Sequence, residues 1–89
     1  MTVYLDNAST TKIDPIVFAE MLIYLRENYG NASSLHSLGR KSRQAIEHAR
    51  EQVAKSINAQ PNQIFFTSGS TESNNWIISN FNHVLCSKV

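Results

Sequence analysis

The apolar positions of this chain change their period several times, and each change marks an element. Val3-Tyr4-Leu5 is a short apolar run that gives way to the polar stretch Asp6-Asn7-Ala8-Ser9-Thr10-Thr11, a pattern that predicts a strand and a turn. Asp14 followed by Pro15 is a helix start: a capping side chain precedes a residue whose fixed φ suits the first helical position. Val17, Met21, Tyr24 and Leu25 then recur at helical spacing, with Phe18 and Leu22 widening the stripe. Gly30 is expected to close that helix in a left-handed cap.

Asn31-Ala32-Ser33-Ser34 reads as a loop. A second helix is expected from about Leu35 to Asn58, with Ile46, Ala49, Val53 and Ile57 as its buried stripe and Arg40, Arg43, Glu47, Arg50 and Glu51 mostly off it. Ala59-Gln60-Pro61-Asn62 is a turn. Ile64-Phe65-Phe66 is apolar at every position, as an interior parallel strand would be. A third helix is expected from about Thr71 towards Asn80. The order strand, helix, helix, strand, helix gives an α/β class with crossover connections. It supplies few partners for its strands, so the pattern reads as the first part of a larger α/β domain.

Composition narrows the functional classes. A chain of 89 residues holds at most one small domain, and 42% hydrophobic content argues against disorder. The net charge of +1, with acids and bases interleaved, gives no case for nucleic-acid binding. The apolar runs are too short to span a membrane, and the N-terminus lacks a signal-peptide pattern. The single cysteine, Cys86, excludes an internal disulfide and points to a reduced, cytoplasmic setting.

The chemistry concentrates in Thr67-Ser68-Gly69-Ser70-Thr71-Glu72-Ser73-Asn74-Asn75. An apolar run, a small-residue turn and a helix start are compressed into one place. The free N–H groups of a helix's first turn, backed by the positive end of its dipole, suit an anion. Small side chains let a phosphate reach the backbone, and Ser68, Ser70 and Thr71 can add hydroxyl donors. The plain alternative is an ordinary Ser/Thr-capped helix start. Glu72 favours the dipole from the first helical turn and is expected to point away from a bound phosphate. His36, His48 and His83 with Cys86 lack zinc-like spacing, and no metal site is expected. Neither GxGxxG nor the nucleotide P-loop pattern occurs.

Three motifs in order resemble one family. Tyr4-Leu5-Asp6-Asn7-Ala8-Ser9-Thr10-Thr11 is similar to YLDNAATT, Gly30-Asn31-Ala32-Ser33-Ser34-Leu35-His36 to GNPSSxH, and residues 67–75 to TSGGTExxN. These are motifs of the NifS/IscS-type cysteine desulfurases, pyridoxal-phosphate enzymes of the class V aminotransferase group. Ser9, Ala32 and Ser70 depart mildly from the family pattern. The resemblance implies an N-terminal segment of a class V aminotransferase domain over residues 1–79 and a divergent tail over 80–89. It further implies an incomplete part of an aspartate aminotransferase-like large domain.

By that resemblance, Ser70 and Thr71 would hold the phosphate of pyridoxal 5'-phosphate through backbone N–H groups and the Thr71 hydroxyl. Residues 7–11 would lie near the active-site entrance, and residues 31–36 would help shape the site and dimer. The family's cofactor-bonding lysine, ring-stacking histidine, pyridine-nitrogen acid and sulfur-accepting cysteine all fall beyond the matched region. Lys12, Lys41, Lys55 and Lys88 are read as solvated, Cys86 as an incidental thiol and His36 as a hydrogen-bonding structural residue. No residue is therefore assigned a catalytic role. The expectation is a truncated desulfurase-like chain, inactive alone and not retaining the cofactor. In the full-length family the substrate is L-cysteine, which yields alanine and an enzyme persulfide for iron–sulfur cluster assembly. The alternative is a non-catalytic module that docks on a full-length desulfurase; a missing C-terminal part is the other candidate partner.

Overall fold

A computed structural model describes residues 1–81. Its elements are α1 (Pro15–Arg26), α2 (Ser37–Ser56), a 3-10 turn (Pro61–Gln63) and α3 (Ser70–Asn80). The predicted tail 80–89 falls almost wholly outside the described residues, as do His83, Cys86 and Lys88. The chain divides into two compact units, Met1–Ala49 and Arg50–Val89, with the division inside α2.

No strand occurs among the described residues, so the α/β expectation is not reproduced in them. Both predicted strands, 3–5 and 64–66, lack regular structure. The reason lies in what a strand is. A ladder needs a partner to take its N–H and C=O groups, whereas a helix satisfies them within one segment. Extended backbone survives at Ile64, with φ −102° and ψ 125°. The local geometry is thus strand-like without a strand beside it.

In the first unit, α1 begins as its sequence dictates. The Asp14 carboxylate accepts from the Ile16 N–H at 2.8 Å, and Pro15 occupies the first turn. Its end differs from expectation. The helix stops at Glu27, whose N–H bonds the Ile23 carbonyl at 2.9 Å, and no glycine adopts positive φ. Gly30 is required for a different reason. A Cβ there would lie 2.5 Å from the Leu38 carbonyl oxygen. The apolar stripe of α1 has no cover: none of its residues is buried, and only Leu22 is half-buried.

The start of α2 is pinned by small residues and short polar contacts. Asn31 turns the loop by accepting from the Ser33 N–H at 2.9 Å. The His36 Nδ1 accepts from the Gly39 N–H at 3.3 Å, satisfying one of the helix's free donors. Ser42, itself buried, donates to the Asn28 carbonyl at 3.2 Å. A Cβ on Gly39 would sit 2.3 Å from the Ser34 oxygen and 2.6 Å from the Asn31 oxygen.

The expected buried stripe on α2 is not the observed one. Ile46 and Val53 are both 40% exposed and Ile57 is 64% exposed, while Gly39, Ser42 and Ala54 are buried. At Gly39, close backbone approach leaves no room for any side chain. The helix ends in the second unit at Asn58, which takes φ 54°. Its N–H bonds the Lys55 carbonyl at 3.3 Å, and the Ala59 N–H reaches back to Ala54 at 2.8 Å. This is the paired-bond left-handed cap, with asparagine where glycine is commoner. Among the described residues, no helix is long and apolar enough to cross a membrane.

Two substitutions test these constraints. Gly39→Ala drives a Cβ into two carbonyl oxygens and is expected to cost about 1–3 kcal/mol, read as a lower urea midpoint by circular dichroism. Asn58→Ala places an ordinary side chain at positive φ and should cost about 1 kcal/mol, whereas Asn58→Gly should not.

Candidate phosphate-binding turn

The candidate site lies in the second unit, where residues 64–69 lead into α3. Ile64 is extended, and Phe65 and Phe66 after it take different partners. The Phe65 ring meets the Trp76 ring edge-on, with centroids 5.3 Å apart and planes at 74°. Such a pair contributes about 0.5–1.5 kcal/mol beyond area burial. The Arg50 guanidinium lies 5.2 Å from the Phe66 ring centroid. The same guanidinium donates to the Ile64 carbonyl.

Beyond Phe66, hydroxyl groups tie the turn to the helix it starts. The Thr67 and Ser73 hydroxyls are 2.8 Å apart. Both also lie within bonding distance of the Gly69 carbonyl, at 3.2 and 3.3 Å, and the Ser73 N–H donates to that oxygen at 3.2 Å. Two hydroxyl protons serve three contacts, so they are shared rather than fixed. Gly69 is the cap position of α3 and has extended φ. A Cβ on it would meet nothing within 4 Å, so the backbone face there is open.

Ser70 is the first residue of α3 and Thr71 the second, and both are exposed. The backbone N–H groups of Ser70, Thr71 and Glu72 have no acceptor among the described residues. These are the unmet donors that a helix start presents to an anion. Donors of this kind, free and exposed at a helix start, are of a chemistry that suits a phosphate group.

Ser68 does not share that role. Its hydroxyl and its N–H both donate to the Glu72 carboxylate, each at 2.6 Å. The sequence made Ser68 a candidate hydroxyl donor to the anion; its proton is instead committed within the turn. These bonds, the hydroxyl first, hold the Glu72 carboxyl below its ordinary value of 4.5. Sequence reasoning missed this pairing. Its signal was the four-residue separation of Ser68 and Glu72 across a helix start, close to the capping-box spacing.

An open groove of about 330 Å³ lies nearby, lined by Gln63, Phe65, Thr67, Ser73, Trp76 and Ile77. Neither Ser70 nor Thr71 lines it, so the groove and the free donors are separate surfaces. The other sequence candidates lie in the first unit, except Lys55, which is in the second. Residues 7–11 are exposed, and the turn there is closed by the Ser9 N–H to the Asp6 carbonyl at 3.1 Å. Lys12, Lys41, Lys55 and His48 are exposed, as their sequence context suggested. Among the described residues, no cluster of His, Cys, Asp or Glu could hold a metal ion.

The family model described as Aminotransferase class-V matches residues 3–88. A protein named cysteine desulfurase IscS from Clostridium botulinum is 43% identical over 98% of this chain and 24% of its own length. One of the same name from Dictyoglomus turgidum is 49% identical, over 97% of this chain and 22% of its own. A solved structure titled NifS-like protein superposes with a TM-score of 0.86 at 48% identity, covering 89% of this chain and 22% of that one. The chain thus spans about a quarter of the length of the curated relatives it matches, and its fold fits an incomplete part of the NifS-like fold.

The Glu72 pairing sets a pH dependence. A carboxyl whose value is lowered on folding adds stability that is complete above its unfolded value. That stability is lost as pH falls from there through the lowered folded value. Acidification from pH 6 is therefore expected to fray the start of α3 as the pH drops below 4.5, read from the Ser68 amide resonance. Glu72→Gln should remove this acid transition.

Proposed function

The chain belongs to the class V aminotransferase family, and on that footing we propose that it carries the phosphate-holding N-terminal portion of a cysteine desulfurase-type fold. The cofactor of that fold is pyridoxal 5'-phosphate, which when bound supplies an electron sink for the substrate's bonds. The observation that carries the reading is the free N–H groups of Ser70 and Thr71, in a turn that matches the family's motif. The names of the relatives, cysteine desulfurase IscS, support the same substrate class, L-cysteine.

In this reading each residue of the turn has a defined task. Ser70 and Thr71 donate backbone N–H groups to phosphate oxygens, and the Thr71 hydroxyl adds a third donor. Thr67 and Ser73 fix the first turn of α3 so that those donors converge. Glu72 spends its charge on Ser68, which limits its repulsion of the anion. The described lysines are exposed and outside any cofactor-bonding motif. These residues accordingly hold the cofactor's phosphate and do not break the carbon–sulfur bond. The exposed apolar side chains of α1 and α3 suit cover by the remainder of an aspartate aminotransferase-like large domain.

The strength of this grip can be bounded. A helix terminus contributes up to about 2 kcal/mol to an anion, and charge-assisted hydrogen bonds add about as much again. A total near 4 kcal/mol corresponds to a dissociation constant of about 1 mM. Titration of pyridoxine 5'-phosphate, which has no aldehyde to react with lysine, is expected to give a constant of that order. The amide resonances of Ser70 and Thr71 should move most, and Thr71→Val should weaken binding about threefold or more. Shifts that bypass these two amides would overturn the assignment, and sulfide release from cysteine by this chain would overturn its non-catalytic role.

A further inference from the structure

Arg50 touches neither Ser70 nor Thr71, yet the position of both traces back to it. Its side chain is half-buried and rises from α2 towards the extended run before the turn. It holds that run at two points, the Ile64 carbonyl by hydrogen bond and the Phe66 ring by its positive charge, 5.2 Å from the ring centroid. The residue after Phe66 is Thr67, whose hydroxyl contacts Ser73 and the Gly69 carbonyl. Three short links therefore join α2 to the first turn of α3: guanidinium to Phe66, Phe66 to Thr67 along the backbone, and Thr67 to Gly69 and Ser73.

We propose that Arg50 is the positioning residue of the phosphate-binding turn, acting through Ile64 and Phe66 to set where the Ser70 and Thr71 donors point. The role suits arginine. A guanidinium offers its donors in a fixed planar fork and is weakly hydrated, whereas an ammonium is a compact, strongly hydrated point charge. The Phe65–Trp76 contact fixes the same run from the α3 side and resists its withdrawal. It does not fix the run against α2. Arg50 supplies that second constraint.

The phosphate part of this inference rests on the cofactor-holding reading; the positioning part does not, and the test separates them. The probe is inorganic phosphate, added to the labelled full chain and followed by heteronuclear NMR. Two quantities are read together with the helical shifts of α2 and α3. One is the phosphate dissociation constant at the Ser70 and Thr71 amides. The other is the Glu72 titration midpoint seen at the Ser68 amide, which reports the turn without any ligand.

Arg50→Gln is expected to keep both helices, to weaken phosphate about tenfold as the Ser70 and Thr71 donors lose their set direction, and to raise the Glu72 midpoint towards its ordinary range. Phe66→Leu removes only the ring and should weaken phosphate about threefold in the same direction. An unchanged Glu72 midpoint in Arg50→Gln would overturn the proposal. So would loss of α3 in that variant, since the effect would then be general stability, or absence of α3 from the unsubstituted chain. A raised midpoint with no phosphate response in either chain would uphold the positioning role and sink the cofactor-holding reading instead.

Discussion

The Arg50 guanidinium meets two needs of one short segment: a backbone carbonyl that wants a donor and an aromatic face that attracts a cation. Ile64 is extended, and among the described residues no strand lies beside residues 64–66. Left alone, such a run has no reason to keep one direction. Arg50 on one side and Trp76 on the other give it two fixed supports. The hydroxyl contacts of Thr67, the cap at Gly69 and the open donors of α3 all follow in sequence from that anchored run. The second unit is organised around the approach to its turn more than around a core.

That emphasis matches the burial pattern. Ala54, at 1% exposure, is the one buried hydrophobic side chain among the described residues. Phe65 and Phe66 keep more than half their surface exposed, at 63% and 51%. Apolar burial then contributes little to direction, and specific polar geometry contributes much. Carbonyl oxygens at Asn28, Ile64 and Gly69 accept from Ser42, Arg50 and Ser73, and each such bond ties a loop to a helix. In larger folds these bonds would supplement packing. Here they define the local form.

How much of this was legible in the sequence depended on the range of the forces involved. The start of α1 was legible because Asp14 and Pro15 act on their immediate neighbours. The free donors at Ser70 and Thr71 were legible for the same reason, since a helix start creates them wherever it falls. The strands were not. Ile64-Phe65-Phe66 has a strand's composition, but the ladder partner it needs is not among the described residues. The buried face of α2 was misread because hydrophobicity was taken as the guide to burial. Close backbone approach decided it instead at Gly39. Gly30 was assigned to a left-handed cap when its use is to admit the Leu38 carbonyl. Arg50 was placed on a solvated face because nothing in helical periodicity reveals a carbonyl fourteen residues downstream.

That separation of fourteen residues recurs, between Arg50 and Ile64 in one unit and between Ser42 and Asn28 in the other. Closing so short a span costs little chain entropy, and contacts of low sequence separation form early in folding. The shape of the turn is thus written by its own neighbourhood. A ribosome extruding this stretch would release a segment able to make these contacts within moments of its emergence.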